Sequence, residues 1–268
     1  MAQHSSRLPS PGLCMMLRRR HRFRGRPVRG RRTGLGAGRR APGHVVIARD
    51  LGIAIVTGRY APGTILPSEL DLADQFAMSR SVVRESLRML TAKGLIQSRR
   101  KAGTRVRERK DWNMLDPDLL AWMFEGAPPL GFVRSLFQLR MIVEPAAAEL
   151  AADLRNARQL SRMGHALEVM AQNGLDTKVG QAADEQFHAI LLEATDNELL
   201  VSLAGSIAAA VRWTTFFKYR TTQQFVDPIP LHQALFEAIA NSNPAAARQA
   251  TAALVLQAQR DMEAALGV

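Results

Sequence analysis

Asp184 and His188 stand four residues apart in QAADEQFHAILLE, a spacing that puts a carboxylate and an imidazole on one face of a helix. Their neighbours at the same periodicity, Phe187, Leu191 and Leu192, are apolar, so both polar groups enter an apolar interior where they need partners. His232, in LHQALFEAI, lies on the side of Leu235, Phe236 and Ile239. Two imidazoles and a carboxylate on facing helices form the donor set of a divalent-metal site. They equally suit a buried histidine hydrogen-bonded to an aspartate, and spacing alone leaves both arrangements open. Arg140, in QLRMIVEP, has Glu144 one turn on, the geometry of an i,i+4 ion pair. Trp213, in VRWTTFF, is either a core residue or a cavity wall.

A second group of residues has a different chemistry. Arg80, Arg84 and Arg88 recur at i, i+4, i+8, with Ser81 beside the first. Val83, Leu87 and Leu90 occupy another face of the same helix, and Ser79 is its natural N-cap. An arginine row beginning at a helix N-terminus suits a DNA major groove: arginine grips guanine O6 and N7 with two N–H groups, and the first amides favour phosphate. Downstream, residues 95–98 and 104–106 read as two strands. Their tip carries Arg99, Arg100, Lys101 and Gly103, the glycine supplying the positive φ of a tight turn.

The elements that must hold these arginines are equally legible. Residues 45–57 carry a broad apolar stripe ended by Gly58, and Pro62-Gly63 turns the chain. Ser68 caps a short helix, Glu69–Phe76, with Leu70, Leu72, Ala73 and Phe76 as its expected buried side. The arginine helix follows at 80–93. The order is helix, helix, turn, helix, hairpin.

Charge divides the chain in three. Residues 1–43 hold twelve arginines and no acid, which equals the whole net charge of +12. Residues 44–110 carry +7 and residues 111–268 carry −7. The short +7 region, not the overall pI, therefore bears on nucleic-acid affinity, most of which comes from phosphate contacts. Residues 1–43 are Arg, Gly and Pro with few large apolar groups and cannot pack a core. They read as a disordered basic arm, a transit peptide without an amphipathic helix, or an upstream extension from a misassigned start, of which the last is preferred. The GLGAG run at 34–38 follows no strand and is set aside as a phosphate loop.

After residue 111 there is no strand alternation. Asp116-Pro117 is a strong helix start. Segments 130–153, 157–172, 177–195, 198–219, 229–241 and 244–265 are Ala/Leu-rich and helix-periodic, with breaks at Pro128-Pro129, Asn173-Gly174, Asp196-Asn197, Asp227-Pro228 and Asn243-Pro244. The expected fold is mostly α: a winged helix-turn-helix at 44–110, then an antiparallel all-α bundle of six or seven helices at 111–268. The lone cysteine, Cys14, permits no intramolecular disulfide or thiolate cluster, which fits a reducing cytoplasm. No apolar run approaches the roughly 18 residues of a membrane span.

The pattern LPSE…LA..F..SR..VRE.L..L…GL…GT.V resembles the winged helix-turn-helix of the GntR family of bacterial regulators. The resemblance implies that Arg80, Ser81 and Arg84 contact bases or nearby phosphates. It assigns the backbone and minor groove to Ser79, Arg100, Lys101 and Gly103. Leu70 stands where relatives can carry a basic DNA contact. The second half resembles the FCD ligand-sensing domain of the FadR subfamily, through Asp184 and His188, Asn197, and His232 with the Ala-Ile that follows it. In many such domains an Asp and three His hold zinc or a similar ion, and a carboxylate effector completes the shell. The resemblance thus implies a metal on Asp184, His188 and His232. Leu254 stands where the last histidine is expected. It also implies that Arg140 meets the effector carboxylate. The run WNMLDPDLLAWM at 112–123 resembles a subgroup that responds to galactonate and related sugar acids.

The expectation is a ligand-responsive repressor of carbohydrate-acid catabolism. It would be a cytoplasmic homodimer without a membrane partner, reading a palindromic operator in double-stranded DNA. A plain metal sensor and a metal-dependent enzyme fused to a DNA-binding module are the alternatives. The second lacks an acid/base pair or nucleophile aimed at the metal ligands.

Overall fold

Two side-chain caps start the helices of the helix-turn-helix. The computed structural model describes residues 41–99, 102–220 and 225–268, so the readings for the basic tail through residue 40, and for Arg100 and Lys101, lie outside the described residues. Helix α1 (Gly43–Val56) buries Ile47, Ala48, Leu51 and Ile55. Helix α2 (Glu69–Phe76) begins in a reciprocal capping box: Asp71 N–H donates to Ser68 Oγ and Ser68 N–H to the Asp71 carboxylate. Helix α3 (Arg80–Ala92) is capped by Ser79, which accepts from Val82 N–H. Val83, Leu87 and Leu90 are buried there, and Arg80, Ser81, Arg84 and Arg88 are exposed. Strands β1 (Ile96–Arg99) and β2 (Gly103–Val106) pair antiparallel with Ile96 opposite Val106 and Arg99 opposite Gly103. Gly103 has φ +78°, as the tip requires.

One expectation fails here. Leu70 is not on the buried side of α2; it is 56% exposed, while Leu72 and Ala73 fill the interface. With eight residues, α2 has two turns and can bury only the narrow stripe that meets α3.

Seven helices follow among the described residues: α4 (Pro117–Met123), α5 (Leu130–Leu154), α6 (Ala157–Asn173), α7 (Lys178–Glu193), α8 (Glu198–Lys218), α9 (Ile229–Ala240) and α10 (Pro244–Ala265). Asp116, Asn156, Thr177, Asn197 and Asn243 each accept first-turn amides at a helix start; of the breaks read in the sequence, Asn197 and Asn243 are such caps, whereas Pro129 and Pro228 precede their helices without a side-chain cap of their own. Helix α10 packs along α5, α7 lies between α6 and α8, and α9 lies against α10. Helix α8 has a mean hydropathy of 1.4 over 18 residues, enough by length and composition to cross a membrane. This corrects the expectation that no apolar segment is long enough, since the serines, threonines and Arg212 that punctuate α8 break up its apolar character in the sequence. Ile207, Ala208, Ala210 and Val211 bury it in the bundle, which accounts for its composition.

The winged helix and the bundle share a buried core. Helix α4 packs against both α1 and α8, and its Trp122 is buried on Gly52 of α1. A Cβ at Gly52 would lie 2.3 Å from the Trp122 ring. Beside this contact Lys93, the C-cap of α3, donates to Asp116 at 2.8 Å and to Asp118 at 2.7 Å. Burial by itself lowers the Lys93 pKa, but these two carboxylates outweigh it and raise the pKa above the usual value. Ser206 of α8 donates to the Leu115 carbonyl at 2.6 Å, tying the bundle to the same junction.

Gly52→Ala is therefore expected to destabilise the protein despite alanine's better helix propensity. Propensity returns about 1 kcal/mol. Overpacking against a buried indole costs about 1–3 kcal/mol, and the 2.3 Å approach puts this site at the upper end, so the net loss is up to about 2 kcal/mol. Urea unfolding checks this; a gain in stability would show that the α1–α4 seat is loose.

Candidate DNA-reading face and ligand cavity

The exposed side of α3 presents Arg80 at its first position and Arg84 one turn on, with Ser79 and Ser81 hydroxyls 2.9 Å apart at the N-terminus. Gly103 lies at the start of β2, exposed, in the wing. Arg88 pairs with Glu85 at 3.2 Å on its own helix. Arg84 reaches across to α2, where its Nη2 lies 2.9 Å from Glu69 Oε2. This partner was not foreseen from the sequence.

The second site is a small cavity of about 30 Å³ within the bundle. Asp184 and His188 of α7 and His232 of α9 meet there, all three buried, with one donor atom from each within 4.8 Å of the others. Asp184 Oδ1 lies 3.1 Å from His232 Nε2 and 3.6 Å from His188 Nε2, and Asp184 Oδ2 accepts from Thr215 Oγ1 at 3.1 Å. Phe187 stacks edge-on against both imidazoles and closes the apolar side.

These residues suit a cation. His232 Nδ1 is 3.0 Å from the Pro228 carbonyl, which can only accept, so Nδ1 carries the proton. The neutral ring then turns the Nε2 lone pair towards a carboxylate oxygen. Two electron-rich atoms at 3.1 Å call for a proton or a metal ion between them. His188 Nδ1 lies 2.7 Å from Glu144 Oε2, off the axis of its N–H, and so lacks a well-directed hydrogen bond although buried. A carboxylate behind a histidine is the usual outer support of a metal ligand.

Charge around the floor is tightly arranged. Arg140 and Glu144 form the i,i+4 pair expected from α5, but fully buried, with Arg140 Nε 2.5 Å from Glu144 Oε1. Burial pushes the Glu144 carboxyl up, but Arg140 and His188 override it and hold it at about 2. Asp184 likewise is pushed up by burial and held at about 2 by His232, His188 and Arg140. Arg140 also lines the cavity, so pairing with Glu144 and facing a ligand are compatible. Trp213 is a correction. It does not line the cavity; it packs edge-on against Phe216 and on the core shared with α4. Residues 211, 215 and 218 are the α8 positions on the cavity side, and residue 213 lies roughly half a turn away from residue 215.

Lys218 and Asp261, 3.1 Å apart, complete the polar lining and were not foreseen. A signal existed: Leu254, Gln257, Ala258 and Asp261 share the i, i+3, i+4, i+7 face of α10, and Leu254 had already been placed at the site. Leu254 is buried in the cavity wall. Asn197, part of the same sequence pattern, caps α8 instead of reaching the cavity. His165 is solvent-facing on α6.

A winged helix with an exposed arginine row, packed on a helical bundle that encloses a polar, cation-competent cavity, defines a DNA-binding regulator with a small-molecule sensor. Residues 45–106 match the bacterial regulatory proteins of the gntR family, and residues 135–257 match the FCD domain. The galactonate operon transcriptional repressor of Escherichia coli (strain K12) is 34% identical over 219 residues, covering 81% of this chain and 95% of the relative. The HTH-type transcriptional regulator LutR of Bacillus subtilis (strain 168) is 31% identical over 204 residues, covering 73% and 90%. The solved structure of Lar from Listeria monocytogenes shares the fold, with a TM-score of 0.58 at 17% identity over 85% of this chain and 99% of that one. The chain belongs to the GntR family of transcription regulators and carries the FCD sensor domain. Its relatives are regulators, not enzymes.

Proposed function

We propose that this protein is a cytoplasmic, homodimeric repressor of a sugar-acid operon that releases its operator when a hydroxylated carboxylate enters the bundle cavity. Residues 44–110 form the reading module and residues 111–268 the sensor and dimerisation module. Arg80 and Arg84 read a palindromic site, with Ser79, Ser81, Gly103, Arg100 and Lys101 on the backbone.

The observation that carries the proposal is the convergence of Asp184, His188 and His232 on the cavity floor beside Arg140. Three protein donors suit zinc with coordination positions left open, and a carboxylate with an adjacent hydroxyl chelates there. Arg140 supplies a second anchor for the carboxylate, and the polar Thr215, Lys218 and Asp261 suit hydroxyl groups. The name of the galactonate repressor supports the sugar-acid class. Release requires that the effector bind the DNA-incompetent geometry more tightly than the competent one.

Thermal-shift screening of aldonic and uronic acids, with zinc or with a chelator, tests this. A matching acid at about a hundredfold over its Kd adds about 2.7 kcal/mol, a rise of several degrees, in the zinc-loaded protein only. It should also weaken operator binding. Equal stabilisation under chelator would remove the metal from the proposal. Zinc alone switching DNA affinity would replace effector sensing by metal sensing.

A further inference from the structure

Glu69 is an acid on the surface assigned to DNA, where a carboxylate repels phosphate, and the DNA-reading proposal gives it no role. Its position is closely defined. It is the first residue of α2, whose start is locked by the Ser68–Asp71 capping box, and α2 packs on α3. From there its carboxylate takes one edge of the Arg84 guanidinium: Nη2 at 2.9 Å, and Nε at 3.3 and 3.4 Å. Arg84 has no other hydrogen-bond or ion-pair partner among the described residues.

A guanidinium has five N–H groups in a plane. Glu69 uses Nε–H and one N–H of Nη2, the side edge. The end edge, Nη1–H with the second N–H of Nη2, stays open. That edge has the two-donor spacing that matches guanine O6 and N7. An unheld arginine rotates freely and serves as well on a phosphate as on a base. A held one presents a single edge in a single direction.

We propose that Glu69 is a positioning residue that holds Arg84 with its end edge outward for one guanine in each half-site, exchanging general DNA affinity for base discrimination. The inference rests on the assignment of α3 as the reading helix. Separately from that geometry, Arg84 is the leading cause holding the Glu69 carboxyl below its usual range, so Glu69 stays ionised wherever the protein binds DNA.

The experiment is selection from a randomised duplex pool with the full-length protein. It is followed by measured affinities for the selected site and for single-base variants, comparing wild type with E69A, E69Q and R84A. Wild type should select a guanine that R84A no longer prefers. E69A should bind random-sequence DNA as well as wild type or better, yet lose about tenfold of the discrimination at that guanine. Discrimination at every other position should be unchanged. E69Q, whose amide oxygen still accepts one N–H, should fall between. The slope of log affinity against log salt should not become shallower in E69A, because no phosphate contact is removed. If R84A abolishes the preference and E69A leaves it intact, the positioning role is overturned and the reading helix stands. If E69A weakens all sites uniformly, Glu69 only supports the fold and the proposal is overturned. If R84A also leaves every preference intact, the reading assignment fails with it.

Discussion

Arg140→Met is expected to cost about 3–5 kcal/mol of folding stability, a fall in Tm of roughly 6–20 °C. The reason is what it strands. Glu144 is completely buried, and the charge of Arg140 is the largest single cause that offsets its desolvation, with His188 adding to it. Removing one partner of a buried pair leaves a charge in a low-dielectric interior. Removing both does not, so Arg140→Met with Glu144→Met should recover most of the loss. Non-additivity of this kind separates a stranded charge from simple loss of packing. Chemical denaturation of the two single variants and the double variant makes the measurement. A single-variant loss under about 1 kcal/mol would mean that water or a rearranged His188 already satisfies Glu144. The double variant, refolded, should still lose effector stabilisation, since the second anchor for the carboxylate has gone.

Arg80→Ala combined with Arg84→Ala is expected to reduce operator affinity by about 10²–10⁴-fold. Each arginine on a guanine contributes about 1–3 kcal/mol of discrimination, and each also carries charge into the phosphate field. Both side chains are exposed and outside the core, so the fold should survive with little change in Tm. Mobility-shift titration on the operator and on random-sequence DNA checks this. Affinity for random DNA should fall far less than for the operator. Unchanged operator binding would move the reading surface off α3 altogether.

These two predictions concern residues that differed in legibility. The arginine row was readable because it depends on the 3.6-residue period of one helix, with Ser79 marking where that helix begins. Helix boundaries in the second half were readable for the same reason: Asp116, Asn156, Thr177, Asn197 and Asn243 cap their own neighbours within three residues. Leu70 was misread because an apolar residue on a short helix does not reveal whether a neighbour is there to cover it. Trp213 stayed open between core and cavity because its period places it on a face without saying which neighbour that face meets.

The sequence by itself determined the order of elements, their caps, the arginine row and the residue types that meet at the cavity floor, since each depends on groups a few residues apart. It also brought Arg140 and Glu144 together, one helical turn being enough. Only the tertiary structure decided that this pair is buried, that Glu144 backs His188, and that His232 faces Asp184 across 48 residues. It likewise decided that Lys218 pairs with Asp261, that Trp122 seats on Gly52, and that Glu69 holds Arg84. Those contacts join side chains whose separation along the chain carries no periodic signal. They exist because packing apolar faces between helices leaves each polar group a single set of partners within hydrogen-bond reach.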